Sequence, residues 1–357
     1  MLTRFGQWAG FLEIDDEVSA TLKEFSGVVL PHMESIMDAV YSRITGSESA
    51  MKMFTHPQAM QRARERQKYH WVEYVFVGNF DNNYQVATRE VGQTHYRLGV
   101  DLRLYSGAYS VVLNEVLRLT SGVLNPADLT RYLSALNRAI FLDIGLATSV
   151  YYESLVGALE AMSNEVNFAL ARAGEFRDNE TGKHISRMSK MCRALALAIG
   201  KDRKWADMLQ IASPLHDVGK IGVPDQVLLK PGRLDADELE IMRTHPGIGG
   251  GIIPDNDSEV IRMARRISLT HHEKWDGSGY PAGLRGDEIP LEGRSAAICD
   301  VYDALVSTRP YKAAWLAEDA LAYLRDNRGS HFEPQLVDAF LSILPAINEI
   351  QREFADA

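Results

Sequence analysis

The sequence predicts an all-α protein built from two domains joined by a long helix. Long stretches carry apolar residues at the helical spacing of three and four, and no run alternates as a half-buried strand does. The chain has 357 residues, which is more than one compact core requires and enough for two. The apolar spacing changes near the middle of the chain, and this change separates the two halves.

The first half is expected to be helical throughout. A proline after Asn125 is typical of a helix start, and the stretch "GNFDNN" predicts a helix end. The predicted helical stretches are 19–44 with a break near Pro31, 60–80, 86–100, 101–124 and 126 onward. They make up a helical domain over residues 1–151.

A heptad pattern follows this domain and predicts a coiled-coil linker over residues 152–178. Apolar residues recur there at alternating steps of three and four. An ordinary amphipathic helix packed on its own domain is the alternative interpretation. The members of the pattern are Tyr152, Leu155, Leu159, Met162, Val166, Ala169, Ala173 and Phe176.

Composition limits the partners and the compartment. The formal net charge of −10 argues against a surface that wraps a polyanion such as DNA. The most apolar stretch, residues 139–152, is broken by Asp143 and predicts a core helix instead of a membrane span. No signal-peptide pattern opens the chain, and Cys192 and Cys299 lie in apolar contexts. We therefore expect a cytoplasmic protein with reduced thiols and no membrane partner.

Histidines and carboxylates of the second half form a candidate metal centre. Six of the ten histidines follow residue 180. Imidazoles interspersed with carboxylates suit iron, manganese or zinc, and an adjacent His-Asp pair lets the carboxylate bridge two ions. Eight candidate ligands are too many for one ion and fit two or three. They are Glu180, His184, His216, Asp217, His245, His271, His272 and Asp300.

Three motifs give this half a specific resemblance. "HDVGK" at 216–220, "HHEKWDGSGYP" at 271–281 and "DVYDALVSTRPYK" at 300–312 resemble the signature set of the HD-GYP family of cyclic-di-GMP phosphodiesterases. The resemblance covers about residues 175–345 and implies that all eight candidates bind metal, iron or manganese. It further implies that Glu180 accompanies a third metal ion and that Asp303 is structural.

The same resemblance implies a hydrolytic mechanism. Two metal ions about 3.5–4 Å apart clamp a phosphodiester and lower the pKa of a bridging water, which attacks phosphorus as hydroxide. Asp217 and Lys220 are expected to be catalytic, with Lys220 stabilising the leaving oxygen. Lys220 has an alternative role, in which it pairs with a loop acid.

Substrate-binding residues are also implied by the resemblance. Arg309 and Lys312 are expected to hold the second phosphate and the guanine of cyclic-di-GMP. Glycine in the pocket loop is expected to permit backbone turns that other residues resist. The pocket loop comprises Gly279, Tyr280 and Pro281.

The first half resembles the sensor globins of globin-coupled sensors over about residues 5–155. The resemblance depends on the ordered segments "QKYHWVEYVFVGNFDNNY", "VGQTHYRLGV" and "YSGAY". It implies haem b with His95 as the proximal iron ligand and Tyr41 in the distal pocket. His70 is expected to be a packing residue. A haem with one open position suits oxygen, carbon monoxide or nitric oxide.

The sequence thus predicts a haem-based gas or redox sensor that regulates cyclic-di-GMP hydrolysis to pGpG, with GMP left open as a further product. The expected parts are a globin over 1–151, a linker over 152–178 that pairs in a homodimer, and an HD-GYP domain over 179–357. Three alternatives stay open: another cyclic dinucleotide or phosphate ester as substrate, a binding module with little turnover, and a haem-free helical sensor.

Overall fold

The computed structural model describes residues 4–54, 56–178, 182–307 and 314–355. The predicted site residues Glu180, Arg309 and Lys312 lie outside the described residues. Within the described ranges the chain is helical and has no β-strand, which confirms the predicted all-α fold. The chain divides into two compact units, Met1–Glu160 and Ala161–Ala357.

The helices of the first unit begin at residues that cap them. Asp15, Ser47 and Asp81 each accept a hydrogen bond from a backbone N–H of the following first turn. Pro31 lies in a 3-10 turn, Leu30–His32, as the predicted break requires. The helices are α1 (Arg4–Phe11), α2 (Asp16–Val29), α3 (Met33–Thr45), α4 (Glu48–Met51), α5 (Pro57–His70), α6 (Asn82–Arg97), α7 (Leu102–Thr120) and α8 (Pro126–Asp178), the last of which continues into the second unit.

Aromatic side chains fill the centre of the first unit. Phe25 on α2 stacks on Tyr132 on α8, with ring centroids 4.7 Å apart. Trp71 and Phe76 lie 5.5 Å apart at the two ends of a π-helical stretch, Trp71–Val75, that follows α5. Such closely packed rings contribute beyond the apolar area that they bury.

Helix α8 is longer than the helix expected at its start, because it continues without interruption through the predicted linker to Asp178. Its apolar stripe is exposed. The stripe consists of Tyr152 at 65% exposure, Leu155 at 39%, Leu159 at 52%, Met162 at 61%, Val166 at 61% and Phe176 at 85%. The described chain therefore does not cover the stripe, and the division into residues 1–151, 152–178 and 179–357 stays a prediction.

By length and composition, α8 is also a weak candidate for a membrane span. An 18-residue window within Pro126–Arg177 reaches a mean hydropathy of 1.3. In the same helix, Leu136, Ala139 and Leu142 are buried in the core of the first unit. That placement favours the predicted core helix. The cytoplasmic location stays a prediction.

The second unit packs its helices around α9, whose side chains Ile185, Met188 and Leu195 are fully buried. Cys192 and Cys299 belong to this core, as expected. The helices are α9 (Gly182–Ala198), α10 (Arg203–Ala212), α11 (Asp225–Leu228), α12 (Ala236–Met242), α13 (His245–Ile252), α14 (Glu259–Thr270), α15 (Leu291–Val306), α16 (Ala317–Asp326), α17 (Pro334–Ser342) and α18 (Leu344–Glu353).

Candidate functional site

Four predicted ligands converge in a first donor group, which consists of Asp217, His245, His271 and His272. Asp217 precedes a 3-10 turn, His245 is the first residue of α13, and the two adjacent histidines follow α14. Asp217 Oδ1 lies 3.2 Å from His245 Nε2 and 3.3 Å from His271 Nε2. The two imidazole Nε2 atoms are 3.5 Å apart.

A second donor group consists of His184 on α9, His216 and Asp300 on α15. Asp300 Oδ1 lies 3.4 Å from His184 Nε2 and 3.9 Å from His216 Nε2. Metal–ligand bonds of about 2.0–2.2 Å place two ligand atoms of one ion about 3–4 Å apart. The separations within both groups fit that requirement.

Asp217 faces both groups. Its Oδ1 points toward the imidazoles of the first group, and its Oδ2 lies 3.3 Å from His216 Nε2 in the second. This arrangement would allow the carboxylate to bridge two metal ions.

Four imidazoles are fixed with Nε2 directed at the centre, because each Nδ1 has an oxygen acceptor. His216 Nδ1 is 3.1 Å from the Ser213 carbonyl, His245 Nδ1 is 2.7 Å from the Met242 carbonyl, His271 Nδ1 is 3.1 Å from the carbonyls of Ile267 and Ser268, and His184 Nδ1 is 2.8 Å from Asp303 Oδ2. Such partners set the tautomer of metal-binding histidines.

Two buried atoms of this centre, His216 Nε2 and Asp217 Oδ1, have no hydrogen-bond partner among the described residues. Unsatisfied buried polar atoms cost free energy, so such atoms indicate a missing ligand. Together with the donor separations, they show that the residues present fit a pair of metal ions.

The charge states of the centre also suit metal binding. Burial raises the pKa of Asp217, but the nearby Lys220 and His216 outweigh it and hold that pKa well below the ordinary value. Burial and the neighbouring His271 lower the pKa of His272 well below its ordinary range. At neutral pH the carboxylate is therefore charged and the His272 imidazole is neutral.

Lys220 lies at the centre, 12% exposed in its side chain, with Nζ 2.8 Å from Asp217 Oδ2. It pairs with an acid, as its alternative role predicts, and this acid is Asp217, the carboxylate that faces both donor groups. Its role toward a phosphate stays a prediction.

The pocket loop owes its shape to close packing. A Cβ on Gly279 would lie 2.3 Å from the Lys274 nitrogen and 2.6 Å from the His272 carbonyl oxygen. The φ angle of Gly279 is not positive, so the expected reason for glycine, an unusual backbone turn, is wrong. Glycine is required there because the surrounding backbone leaves no space for a side chain. The loop brings the Tyr280 ring to 4.7 Å from the His272 ring, in a stacked arrangement. The peptide bond to Pro281 is cis.

A residue that the sequence analysis passed over, Glu273, holds this loop in place. Its carboxylate accepts hydrogen bonds from the backbone N–H groups of Ala282 at 2.7 Å and Leu284 at 3.0 Å, and it is 2% exposed. The acid next to the two histidines of "HHE" was the available signal. Buried carboxylates need such donors.

Asp303 has a more specific role than the structural one expected. It is fully buried on α15, and besides His184 it accepts hydrogen bonds from Arg187 Nε at 2.7 Å and Nη2 at 3.0 Å and from Gln351 at 2.7 Å. Asp303 therefore orients His184 and balances a buried guanidinium.

In the first unit, the two predicted haem residues lie in separate helices. His95 lies on α6, and burial lowers its pKa, so its imidazole is in the neutral form that binds iron. Tyr41 lies on α3 at 8% exposure, and burial raises its pKa, which keeps its hydroxyl protonated. Both states fit a globin haem with a distal hydrogen-bond donor.

A buried carboxylate, Asp143, connects four helices of the first unit. It accepts hydrogen bonds from Tyr84 at 3.0 Å, from Thr88 at 3.1 Å and from the Tyr109 hydroxyl, and it pairs with His70 at 2.9 Å. His70 is thereby engaged in the core, in agreement with the role expected of it. Sequence analysis noted Asp143 only as a break in the apolar stretch.

Comparison with known proteins finds two family matches, one in each of the two compact units. Residues 2–156 match the Protoglobin family, and residues 170–336 match the HD domain family. The chain thus contains a globin-type domain followed by a domain of the HD family. More specifically, it carries a protoglobin domain and, after it, an HD domain of the HD-GYP type.

Curated relatives include phosphodiesterases that act on cyclic dinucleotides. The chain is 42% identical to the cyclic di-GMP phosphodiesterase response regulator RpfG of Xanthomonas campestris pv. campestris (strain 8004), over 63% of this chain and 58% of that protein. It is 46% identical to 3'3'-cGAMP-specific phosphodiesterase 2 of Vibrio cholerae serotype O1, over 53% of this chain and 36% of that protein. The chain spans between 34% and 60% of the length of the curated relatives it matches.

The solved structures that the chain matches include a globin domain. The globin domain of a Geobacter sulfurreducens globin-coupled sensor is 18% identical, covers 42% of this chain and 99% of its own, and has a TM-score of 0.39.

Proposed function

We propose that this protein is a haem-containing, metal-dependent phosphodiesterase that hydrolyses cyclic-di-GMP to pGpG. The observation that carries the proposal is the position of Asp217, whose two oxygens face two separate groups of imidazoles. Such an arrangement suits two ions that bind one phosphodiester together.

The chain's own residues supply charge and orientation in this reaction. Bound metal ions would contribute a water of lowered pKa and neutralise phosphate charge. Lys220 places its ammonium beside Asp217, where it stabilises the negative charge that develops on the leaving ribose oxygen. The Tyr280 ring, stacked on His272 and with the Arg243 guanidinium 5.3 Å from its centre, shapes the pocket beside the metal centre. Arg309 and Lys312 hold the second phosphate and guanine.

The test is hydrolysis by the full chain, purified without oxygen and loaded with ferrous iron or manganese. Cyclic-di-GMP is expected to yield pGpG, measured by liquid chromatography. Asp217→Asn is expected to abolish turnover, whereas Asp207→Asn, which alters a surface pair with Arg193, is expected to retain it. Intact substrate in the presence of stoichiometrically bound metal would refute the proposal.

A second candidate substrate is 3'3'-cGAMP. A relative named as specific for it is 46% identical to this chain. Competing assays with equal concentrations of both dinucleotides decide between them, because discrimination is the ratio of the two kcat/KM values. Tight binding of either dinucleotide without turnover would instead indicate a binding module.

We propose that the protoglobin domain binds haem b through His95, with Tyr41 donating a hydrogen bond to oxygen, carbon monoxide or nitric oxide at the open position. His95→Ala is expected to abolish the Soret band. His32→Ala, a change at an exposed histidine on the surface of the same domain, is expected to retain it. Full haem retention by His95→Ala would refute the assignment.

We propose that the apolar stripe of α8 pairs with the stripe of a second copy and transmits the state of haem to the metal centre. Its spacing is that of a coiled coil, and six of its members are 39–85% exposed. Turnover is then expected to differ among nitrogen, oxygen, carbon monoxide and nitric oxide. Equal turnover in all four gases would refute the proposed transmission from haem to the metal centre but not the proposed phosphodiesterase activity.

A further inference from the structure

The last turns of α8 are attached to the segment that directly follows the candidate ligands His216 and Asp217. Arg177 donates to the carbonyl oxygens of Ile221 and, at 3.2 Å, Val223, and it pairs with Asp225. These acceptors follow "HDVGK" directly. The C-terminal end of α8 is thus held in a defined position beside the metal centre.

This attachment brings a carboxylate of α8 to the second donor group. Glu175 is 4% exposed, and its Oε1 lies 3.9 Å from His184 Nε2. His184 Nδ1 is committed to Asp303, so Nε2 is the nitrogen that faces a metal ion. The same Nε2 lies 3.4 Å from Asp300 Oδ1.

We propose that Glu175 is a ligand of the metal ion held by His184, His216 and Asp300, which rests on the metal centre of the proposed function. Two ligands bonded at about 2.1 Å lie at most about 4.2 Å apart, and the distance from Glu175 to His184 is within this limit. A cation at this place also offsets the free-energy cost of burying the carboxylate.

The proposal adds a ligand that the sequence motifs do not include. Glu175 precedes Glu180, the glutamate assigned by resemblance, by five residues. Glu175 belongs to the helix that also carries Asp143 of the globin core.

The test compares metal binding by Glu175→Gln, Glu180→Gln and Glu160→Gln with that of the unchanged full chain. Glu160 is exposed on α8 and serves as the matched control. Each apo protein is equilibrated anaerobically with graded free Mn²⁺, and bound metal per chain is measured by elemental analysis. We expect Glu175→Gln to bind one ion at least about tenfold more weakly, and Glu160→Gln to bind as the unchanged chain does.

Unchanged stoichiometry and affinity in Glu175→Gln would overturn the inference, as would a loss confined to Glu180→Gln. Circular dichroism of the apo proteins checks folding. If Glu175→Gln does not fold, Glu175→Asp decides, because it keeps the charge and shortens the side chain, so weaker binding of one ion is again expected. Failure of the metal-loaded, unchanged chain to hydrolyse dinucleotides refutes the proposed function separately, since metal binding is read without substrate.

Discussion

Replacement of Asp303 tests how much the buried contacts of this carboxylate with His184 and Arg187 contribute to stability and to metal binding. Asp303→Ala removes the acceptor of His184 Nδ1 and the carboxylate that faces both Nε and Nη2 of Arg187, a residue that is 1% exposed. Removing one partner of a buried ion pair costs about 3–5 kcal/mol of unfolding free energy. Asp303→Asn keeps the shape and one acceptor oxygen, so we expect a smaller cost of about 1–3 kcal/mol.

Metal affinity should fall as well, because His184 loses the contact that fixes its orientation. Loss of such a partner typically weakens metal binding by about 10–100-fold, which corresponds to about 1.4–2.8 kcal/mol. The two effects are separable: denaturant unfolding of the apo protein measures the first, and titration with Mn²⁺ measures the second.

The chain offers a matched control for this experiment. Asp338 also receives two hydrogen bonds from an arginine, Arg328, at 3.0 and 2.7 Å, but its side chain is 58% exposed. Asp338→Ala should leave both unfolding and metal binding nearly unchanged, because water replaces the lost partner. Equal unfolding midpoints for Asp303→Ala and Asp338→Ala would refute the reasoning.

Three other predictions follow from local geometry. Burial opposes the charges of His70 and Asp143, but their mutual attraction outweighs it, raising the first pKa and lowering the second. The stabilisation lost in Asp143→Asn should therefore be largest between about pH 4 and 6.5. This difference in stability should shrink as pH rises through the raised pKa of His70 or falls through the lowered pKa of Asp143. Unfolding midpoints of both proteins across pH measure the difference, and a difference that does not change with pH would contradict the prediction. Gly219→Ala should destabilise the protein by about 1–3 kcal/mol, because the added Cβ would lie 1.9 Å from the His245 carbonyl oxygen. Gly251→Ala should not, because no atom lies within 4 Å of its added Cβ. Equal melting temperatures of the two variants would contradict this prediction. Met162→Arg should shift sedimentation from dimer to monomer while Met162→Leu should not, and an unchanged dimer in both would exclude the stripe as the interface.

The candidate ligands could be picked out from the sequence because they lie next to each other or in short motifs. His216 and Asp217 are adjacent, as are His271 and His272, and local geometry alone brings such pairs to one place. The supporting residues could not be found in this way. Arg187 and Asp303 are 116 residues apart, and only the packing of α9 on α15 brings them together.

Two other misses have physical causes. A single acid in an apolar helix, Asp143, marks a polar network only when its donors on other helices are known. The heptad pattern indicated where apolar residues recur, but not that the helix beginning at Pro126 continues through them to Asp178. Neither Gly145 nor Gly157 interrupts α8, because glycine lowers helix propensity without removing a backbone hydrogen bond.

The shared carboxylate of Asp217 makes the two donor groups parts of one thermodynamic cycle. Any factor by which occupation of one group changes affinity at the other must operate equally in the reverse direction. Replacing His245 should therefore alter how firmly an ion is held near His184, which belongs to the other donor group. Replacing the candidate ligands one at a time would change the measured affinity of the whole cluster at every position. Only double replacements would separate the contributions of the two donor groups to metal affinity.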